Sequence, residues 1–177
     1  MKKMNIHLEK VNWENYRKVL KLRVTKEQEN YVASNRASLI HAYLESCEGV
    51  PVHTFAIYNG KTVVGFMQLM YNNDWTGEER EDWLTSDEYK KFEGKYYYYI
   101  WRFMVDKKYQ GRGYGKESFK QTLEFIKSFP DGKAEYAVLS YEPKNELGKK
   151  LYASFGFKEV FLEYLHDDDE VTALLKL

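Results

Sequence analysis

Along this chain the apolar positions switch between a period of two, the mark of a strand, and a period near 3.6, the mark of a helix. Ile6, Leu8 and Lys10 alternate with polar residues and predict a first strand. Asn12 has the chemistry of an N-cap, and Trp13, Tyr16, Val19 and Leu20 follow at helical spacing, predicting a helix over residues 13–24. Residues 25–35 are polar without a clean period, and residues 38–44 turn helical again with Leu39, Tyr43 and Leu44 on one side. Residues 52–58 and 62–71 read as strands joined by the two-residue turn Asn59-Gly60, with Val64, Phe66 and Gln68 on one face. Residues 72–93 break the pattern. They form an acidic insertion carrying Asp74, Glu78, Glu79, Glu81, Asp82, Asp87 and Glu88, with Trp75 and Trp83 among them.

Residues 96–105 are apolar or aromatic on both parities, as in a central strand covered on both faces. After a glycine-rich turn, Phe119, Leu123 and Ile126 stripe a helix over residues 116–129, stopped by Pro130-Asp131-Gly132. Residues 135–141 form a short buried strand. Leu147, Leu151 and Phe155 mark a last helix closed by Gly156, and residues 160–164 and 170–177 read as final strands around the turn Asp167-Asp168-Asp169. The order β-α-α-β-β-β-α-β-α-β-β predicts one α/β (α+β) domain over residues 1–177, a sheet with helices on its faces.

Composition narrows the picture modestly. The 177 residues suffice for a sizeable core, and 16 tyrosines make it aromatic-rich. Acidic and basic residues balance at 27 each, which argues against a generic polyanion binder. One cysteine, Cys47, excludes an intramolecular disulfide, and Met1-Lys2-Lys3 leads into alternation and not an apolar run. A cytoplasmic protein without a membrane span is expected. His7, His41, His53 and His166 lack ligand spacing, so no metal site is expected.

The chemistry centres on Gln110-Gly111-Arg112-Gly113-Tyr114-Gly115. Glycines let a backbone turn tightly and expose its N–H groups. At the start of a helix these N–H groups join the positive end of the helix dipole and make a site for phosphate oxygens. A P-loop needs Lys then Ser/Thr after its last glycine, but Lys116-Glu117 follows here. The dinucleotide spacing G-x-G-x-x-G fails as well. What remains, Gln110, Gly113 and Gly115 in Q-x-x-G-x-G, resembles the acetyl-CoA loop of the GNAT superfamily of N-acetyltransferases. Asn145, Gly148, Leu151-Tyr152 and Gly156-Phe157 resemble that family's later motif, with Gly148 where Ala is common.

The resemblance covers essentially the whole chain. It implies a mixed, mostly antiparallel central sheet with helices on both faces, and acetyl-CoA as cosubstrate. The amides of Gln110, Gly111, Arg112, Gly113, Tyr114, Gly115 and Lys116 would hold the pyrophosphate. The backbone of Phe103, Met104 and Val105 would pair with the pantetheine where the strands splay. Asn145 would hydrogen-bond the pantetheine arm, and Tyr152 would protonate the departing thiolate. A homodimer is a further expectation from the family.

The acceptor amine arrives as an ammonium of pKa about 10.4 and must lose a proton. Residues 96–105 contain no carboxylate, so a water chain or a carboxylate from elsewhere must serve, and Glu142, Glu27 and Glu29 are the candidates. The acidic insertion, Glu78 and Glu79 above all, would steer a multiply charged amine. The stretch from Gln28 through Tyr31 to Asn35 also resembles a bacterial diamine, spermine and spermidine acetyltransferase branch. A polyamine is therefore the expected acceptor. The same chemistry on an aminoglycoside or a peptide N-terminus stays open, as does an acetyl-CoA sensor without turnover. An RNA-binding module is disfavoured: Arg112-Gly113-Tyr114-Gly115 starts an RNP1-like pattern that Lys116-Glu117-Ser118 breaks.

Overall fold

The structure is a computed structural model that describes residues 4–72, 87, 89–160 and 170–177. Its strands are β1 (Ile6–Lys10), β2 (Val52–Asn59), β3 (Thr62–Asn72), β4 (Tyr97–Val105), β5 (Tyr136–Tyr141), β6 (Lys158–Val160) and β7 (Val171–Lys176). Its helices are α1 (Tyr16–Val19), α2 (Asn35–Cys47), α3 (Tyr114–Lys127) and α4 (Glu146–Ser154), with short 3-10 turns at Lys26–Gln28 and Tyr89–Lys91. The seven strands lie in the order β1-β2-β3-β4-β5-β7-β6. Every pairing is antiparallel except β4 with β5. The order of strands and helices along the chain agrees with the sequence reading.

Two larger hydrophobic clusters sandwich the sheet, and a third gathers Tyr89, Phe92, Tyr97, Val138 and Leu174. On one face Phe119, Leu123 and Ile126 of α3 pack with Phe55, Met67, Leu69, Tyr98 and Phe157, and Leu151 and Tyr152 of α4 lean on the same cluster. On the other, Val19 and Leu22 pack with Ala56, Tyr58, Val63, Phe66 and Met104, flanked by Leu39 of α2. Close approach of β3 to β4 depends on Gly65, where a Cβ would collide with the Met104 carbonyl oxygen.

Several local expectations are corrected. The first helix is a single turn, Tyr16–Val19, and Trp13 stays exposed. Asn12 does cap the turn, accepting from the N–H groups of Glu14 and Asn15, but Asn15 pairs back to Asn12 and the regular turn starts after it. The helix stops early because the Arg23 N–H is drawn to Asp106 Oδ2 at 2.8 Å. In α2 the buried face is Asn35, Ser38 and Ala42, while Tyr43 and Leu44 face solvent. Polar groups line that face because they are satisfied locally: Asn35 donates to the Val19 carbonyl and Ser38 to the Ser34 carbonyl.

Two bulges overturn the simple alternation. In β3, Ile57 faces Gly65 while Tyr58 faces Val63, so Val64 is the extra residue. Val64 therefore joins the α3-side core, while Phe66 lies in the α1-side core. In β4, Leu69 faces Ile100 while Gln68 faces Arg102, making Trp101 the extra residue. The acidic insertion, including Glu78, Glu79, Trp75 and Trp83, lies outside the described residues, as does the 161–164 part of the predicted sixth strand.

Asp106 is the buried knot behind β4. Its Oδ2 takes the Arg23 N–H at 2.8 Å and its Oδ1 the Lys108 N–H at 3.0 Å. Hydrogen bonds to a charged group contribute about 1.5–3 kcal/mol each when buried. Asp106→Ala is expected to lower stability by about 3 kcal/mol in urea denaturation, with an unchanged m value. A loss below about 1 kcal/mol would show that this carboxylate does not anchor the turn.

Candidate active site

The site begins where β4 and β5 separate. They pair only at Tyr97, Tyr98 and Tyr99 against Tyr136, Ala137 and Val138. Beyond that point β5 bonds β7 on its far side, up to Tyr141 opposite Val171. The hydroxyls of Tyr99 and Ser140 meet at 3.1 Å across the fork. The Asp106 N–H donates to the Val64 carbonyl on the β3 side. Alternation along the strand then turns the N–H groups of Phe103 and Val105 toward the gap. Ile100 through Val105 line a cleft of about 570 Å³ there.

The glycine-rich loop closes one end. Gly111 and Gly113 adopt φ of 72° and 79°, a region that side-chain-bearing residues rarely occupy. Gly113 is the residue from which α3 departs, so the N–H groups of the first α3 turn open beside Gly111 and Gly115, which line the cleft. Gln110 fastens the loop: its Nε2 donates to the Val105 carbonyl at 2.9 Å and to Gln28 Oε1 at 2.8 Å. Arg112 and Lys116 stay exposed outside the cleft lining, and Arg112 lies 5.7 Å over the Tyr109 ring. Tyr114 turns its hydroxyl away to accept from Asn59 Nδ2 at 2.9 Å. Of the loop, only backbone can serve as cradle from within the cleft.

On the opposite bank, Asn145 caps α4, its Oδ1 accepting the Gly148 N–H at 2.9 Å. A Cβ at Gly148 would stand 2.7 Å from Asn145 Nδ2, so glycine gives this placement of the cap room that alanine would take only with a shift of the Asn145 side chain. The departure from the common alanine is thus steric, and the Asn145 oxygen is already committed.

Tyr152 lines the cleft, its ring among Phe119, Tyr141 and Phe157 at centroid distances of 5.2, 5.6 and 6.4 Å. Burial, then the nearby Glu170 and Tyr99, push its pKa up to about 12, so the phenol keeps its proton at neutral pH. Tyr141 is bound to Glu159, which also takes Lys149 at 3.0 Å; this ties β5 and α4 to β6.

The predicted bases fare differently. Glu142 follows β5 but does not line the cleft, and Glu27 is turned back onto its own backbone N–H and then Thr25, which lower its pKa. Glu29 borders an adjoining depression with Arg36 and Val32. Tyr31 does line the cleft and reaches over to the Lys144 carbonyl at 3.4 Å. Among the described residues the carboxylate that lines the cleft is Glu170, which by sequence pattern reads as the start of a strand. Its side chain keeps contact with solvent, yet surrounding protein strips enough water to push its pKa up. Arg102 pulls it down and Glu142 pushes it up. Among the described residues the cation that lines it is Arg102, which in the sequence is one polar position within an aromatic strand.

No curated protein sequence matches the chain. Solved structures do match in fold. The paiA N-acetyltransferase of Thermoplasma acidophilum, solved with coenzyme A, aligns over 98% of this chain and 100% of its own at TM-score 0.61 and 14% identity. FeeM, an N-acyl amino acid synthase from uncultured soil microbes, aligns over 98% and 92% at TM-score 0.64 and 17% identity. Naa50 of Arabidopsis thaliana, in complex with a bisubstrate analogue, aligns over 97% and 99% at TM-score 0.57 and 15% identity. The model of the acetyltransferase (GNAT) family matches residues 13–157. With that match over most of its length, the chain belongs to the GNAT family and is an acetyl-CoA-dependent N-acetyltransferase.

Proposed function

We propose that the chain moves an acetyl group onto the amine of a small acceptor, with Glu170 as proton acceptor and Tyr152 as proton donor. The observation that carries this reading is the fork between β4 and β5, along whose cleft lie the protonated phenol of Tyr152 and, among the described residues, the carboxylate of Glu170. Acetyl-CoA supplies the thioester carbonyl. The Val105 N–H, turned toward the gap, donates to that carbonyl oxygen as negative charge grows on it. Glu170 takes the ammonium proton, so the lone pair attacks carbon; the carbon–sulfur bond breaks, Tyr152 donates its proton to the leaving thiolate, and the second proton on the acylated nitrogen leaves to restore the Tyr152 phenol through water. The loop from Gln110 to Lys116 holds the phosphates through main-chain N–H groups.

Of the earlier candidates, Glu142 acts through its field on Glu170 in this reading. The finer expectation of a polyamine rests on Glu78 and Glu79, outside the described residues, and on the Gln28–Asn35 resemblance. Within the cleft Arg102 opposes a polycation. The acceptor in our reading is accordingly a small amine other than a polyamine.

Calorimetry with acetyl-CoA, followed by thiol release in the presence of amines, tests the reading. Wild type is expected to bind acetyl-CoA, and Gly113→Val to bind about 10-fold more weakly, since the valine must adopt a left-handed φ. Absence of acetyl-CoA binding in wild type would sink the proposal.

A further inference from the structure

Arg102 is a cation with an unfilled side. Its Nη1 donates to the Trp101 carbonyl at 2.7 Å, but its Nε is buried without an acceptor among the described residues. The guanidinium is held in place from below, 5.0 Å over the Trp101 ring, and Trp101 in turn stacks on His41 of α2 at 5.8 Å. Its register partner on β3, Gln68, is fully buried, and neither amide atom finds a partner. Buried polar groups are almost always paired, so an unpaired pair on adjacent strands calls for an explanation. The bulge at Trp101 creates it by bringing Arg102 into register with Gln68 in the middle of the sheet.

The charges of the cleft complete the picture. Among the described residues Arg102 and Glu170 are the charged groups that line it, and they form no ion pair with each other. A polyamine would meet one attractive and one repulsive charge. A zwitterion would meet two attractive ones. Arg102 lines the cleft and pairs with no carboxylate among the described residues, so a carboxylate entering the cleft would meet an unneutralised guanidinium, the group best suited to hold it by charge-assisted hydrogen bonds.

We infer that the acceptor is an amino carboxylate, an amino acid or a short ω-amino acid, whose carboxylate is held by Arg102 while its ammonium faces Glu170. This rests on the acetyl-transfer reading above and names its substrate class. Arg102 is a specificity-determining residue. It neutralises the carboxylate, orients the amine toward the thioester and takes no part in proton transfer.

The test is thiol release from acetyl-CoA with matched acceptors: the α-amino acids and the ω-amino acids of increasing chain length, each beside its own carboxamide, with spermidine as the polycation. In wild type the kcat/KM of the preferred carboxylate should exceed that of its amide by on the order of 10²-fold or more, because the amide leaves the guanidinium unpaired. Arg102→Gln should level the two by lowering the carboxylate's value, with the acetyl-CoA KM unchanged, and Arg102→Lys should restore part of the preference. Equal use of acid and amide, turnover with spermidine alone, or a carboxylate preference surviving Arg102→Gln would each overturn the inference. If the Arg102 variants fail to fold, the wild-type acid-to-amide ratio decides alone. Acetyl-CoA binding by calorimetry with no carboxylate acetylated would overturn this inference and leave acetyl transfer standing; no acetyl-CoA binding would remove both.

Discussion

Tyr152→Phe is expected to lower kcat by about 10²-fold or more while leaving the affinity for acetyl-CoA unchanged. The ring supplies packing against Phe119, Tyr141 and Phe157, and phenylalanine retains all of it. Only the hydroxyl proton disappears. That proton is available across the physiological range, because burial and Glu170 push the phenol up to about 12. Without it the sulfur must leave as a thiolate into a site from which water has been thinned, and the cost falls on the transition state alone. Rapid-quench or steady-state kinetics beside calorimetry separate the two quantities. A kcat within about threefold of wild type would remove Tyr152 from the mechanism, and a matching loss of acetyl-CoA affinity would make it a binding residue.

Glu170→Gln should cost kcat/KM about 10²-fold and also change the shape of the pH profile. A base must be ionised to act, so wild-type activity rises as pH climbs through the Glu170 pKa. Desolvation places that pKa above the ordinary carboxylate value, against the opposing pull of Arg102. The acid limb should therefore lie above pH 4.5 in wild type and be absent from the variant, whose remaining rise follows the amine itself near pH 10.4. The linkage has the opposite sign for stability. A carboxyl whose folded pKa is raised favours the fold below its unfolded pKa and loses that contribution as pH rises through the folded value. Ionised Glu170 is thus a burden on the fold at neutral pH, and Glu170→Gln should melt no lower than wild type. Glu142→Gln serves as the control, with activity nearly intact and the limb moved slightly down as a like charge is removed. An acid limb that survives Glu170→Gln unchanged would assign the proton to another group.

Much of this machinery is local, and local features are legible. Gly111 and Gly113 occupy the left-handed conformations that their spacing implied, and α3 begins directly behind them. Asn145 sits at the start of α4 and Tyr152 one face away from solvent within it, as a short motif on a helix requires. Helix length in the first third was not legible. Asn12 and the apolar spacing behind it argue for a long helix, but the Asp106 carboxylate, far along the chain, captures the Arg23 N–H and ends it. Apolar spacing misled again in α2, where Tyr43 and Leu44 form a stripe that faces solvent while Asn35 and Ser38 go inside.

By itself the sequence determined the order of elements, the glycine-rich loop at the start of α3 and the tyrosine placed on α4. Each of these rests on residues within a few positions of one another, where backbone conformation and helical period act. Only the tertiary structure decided where the charges of the cleft come from. Arg102 reads as one polar residue in an aromatic strand until the Trp101 bulge brings it opposite Gln68. Glu170 reads as a polar strand start until β7 inserts beside β5 and sets it at the fork. A side chain's charge is written in the sequence, but its depth, its field and its missing partner are properties of strands that meet from distant parts of the chain.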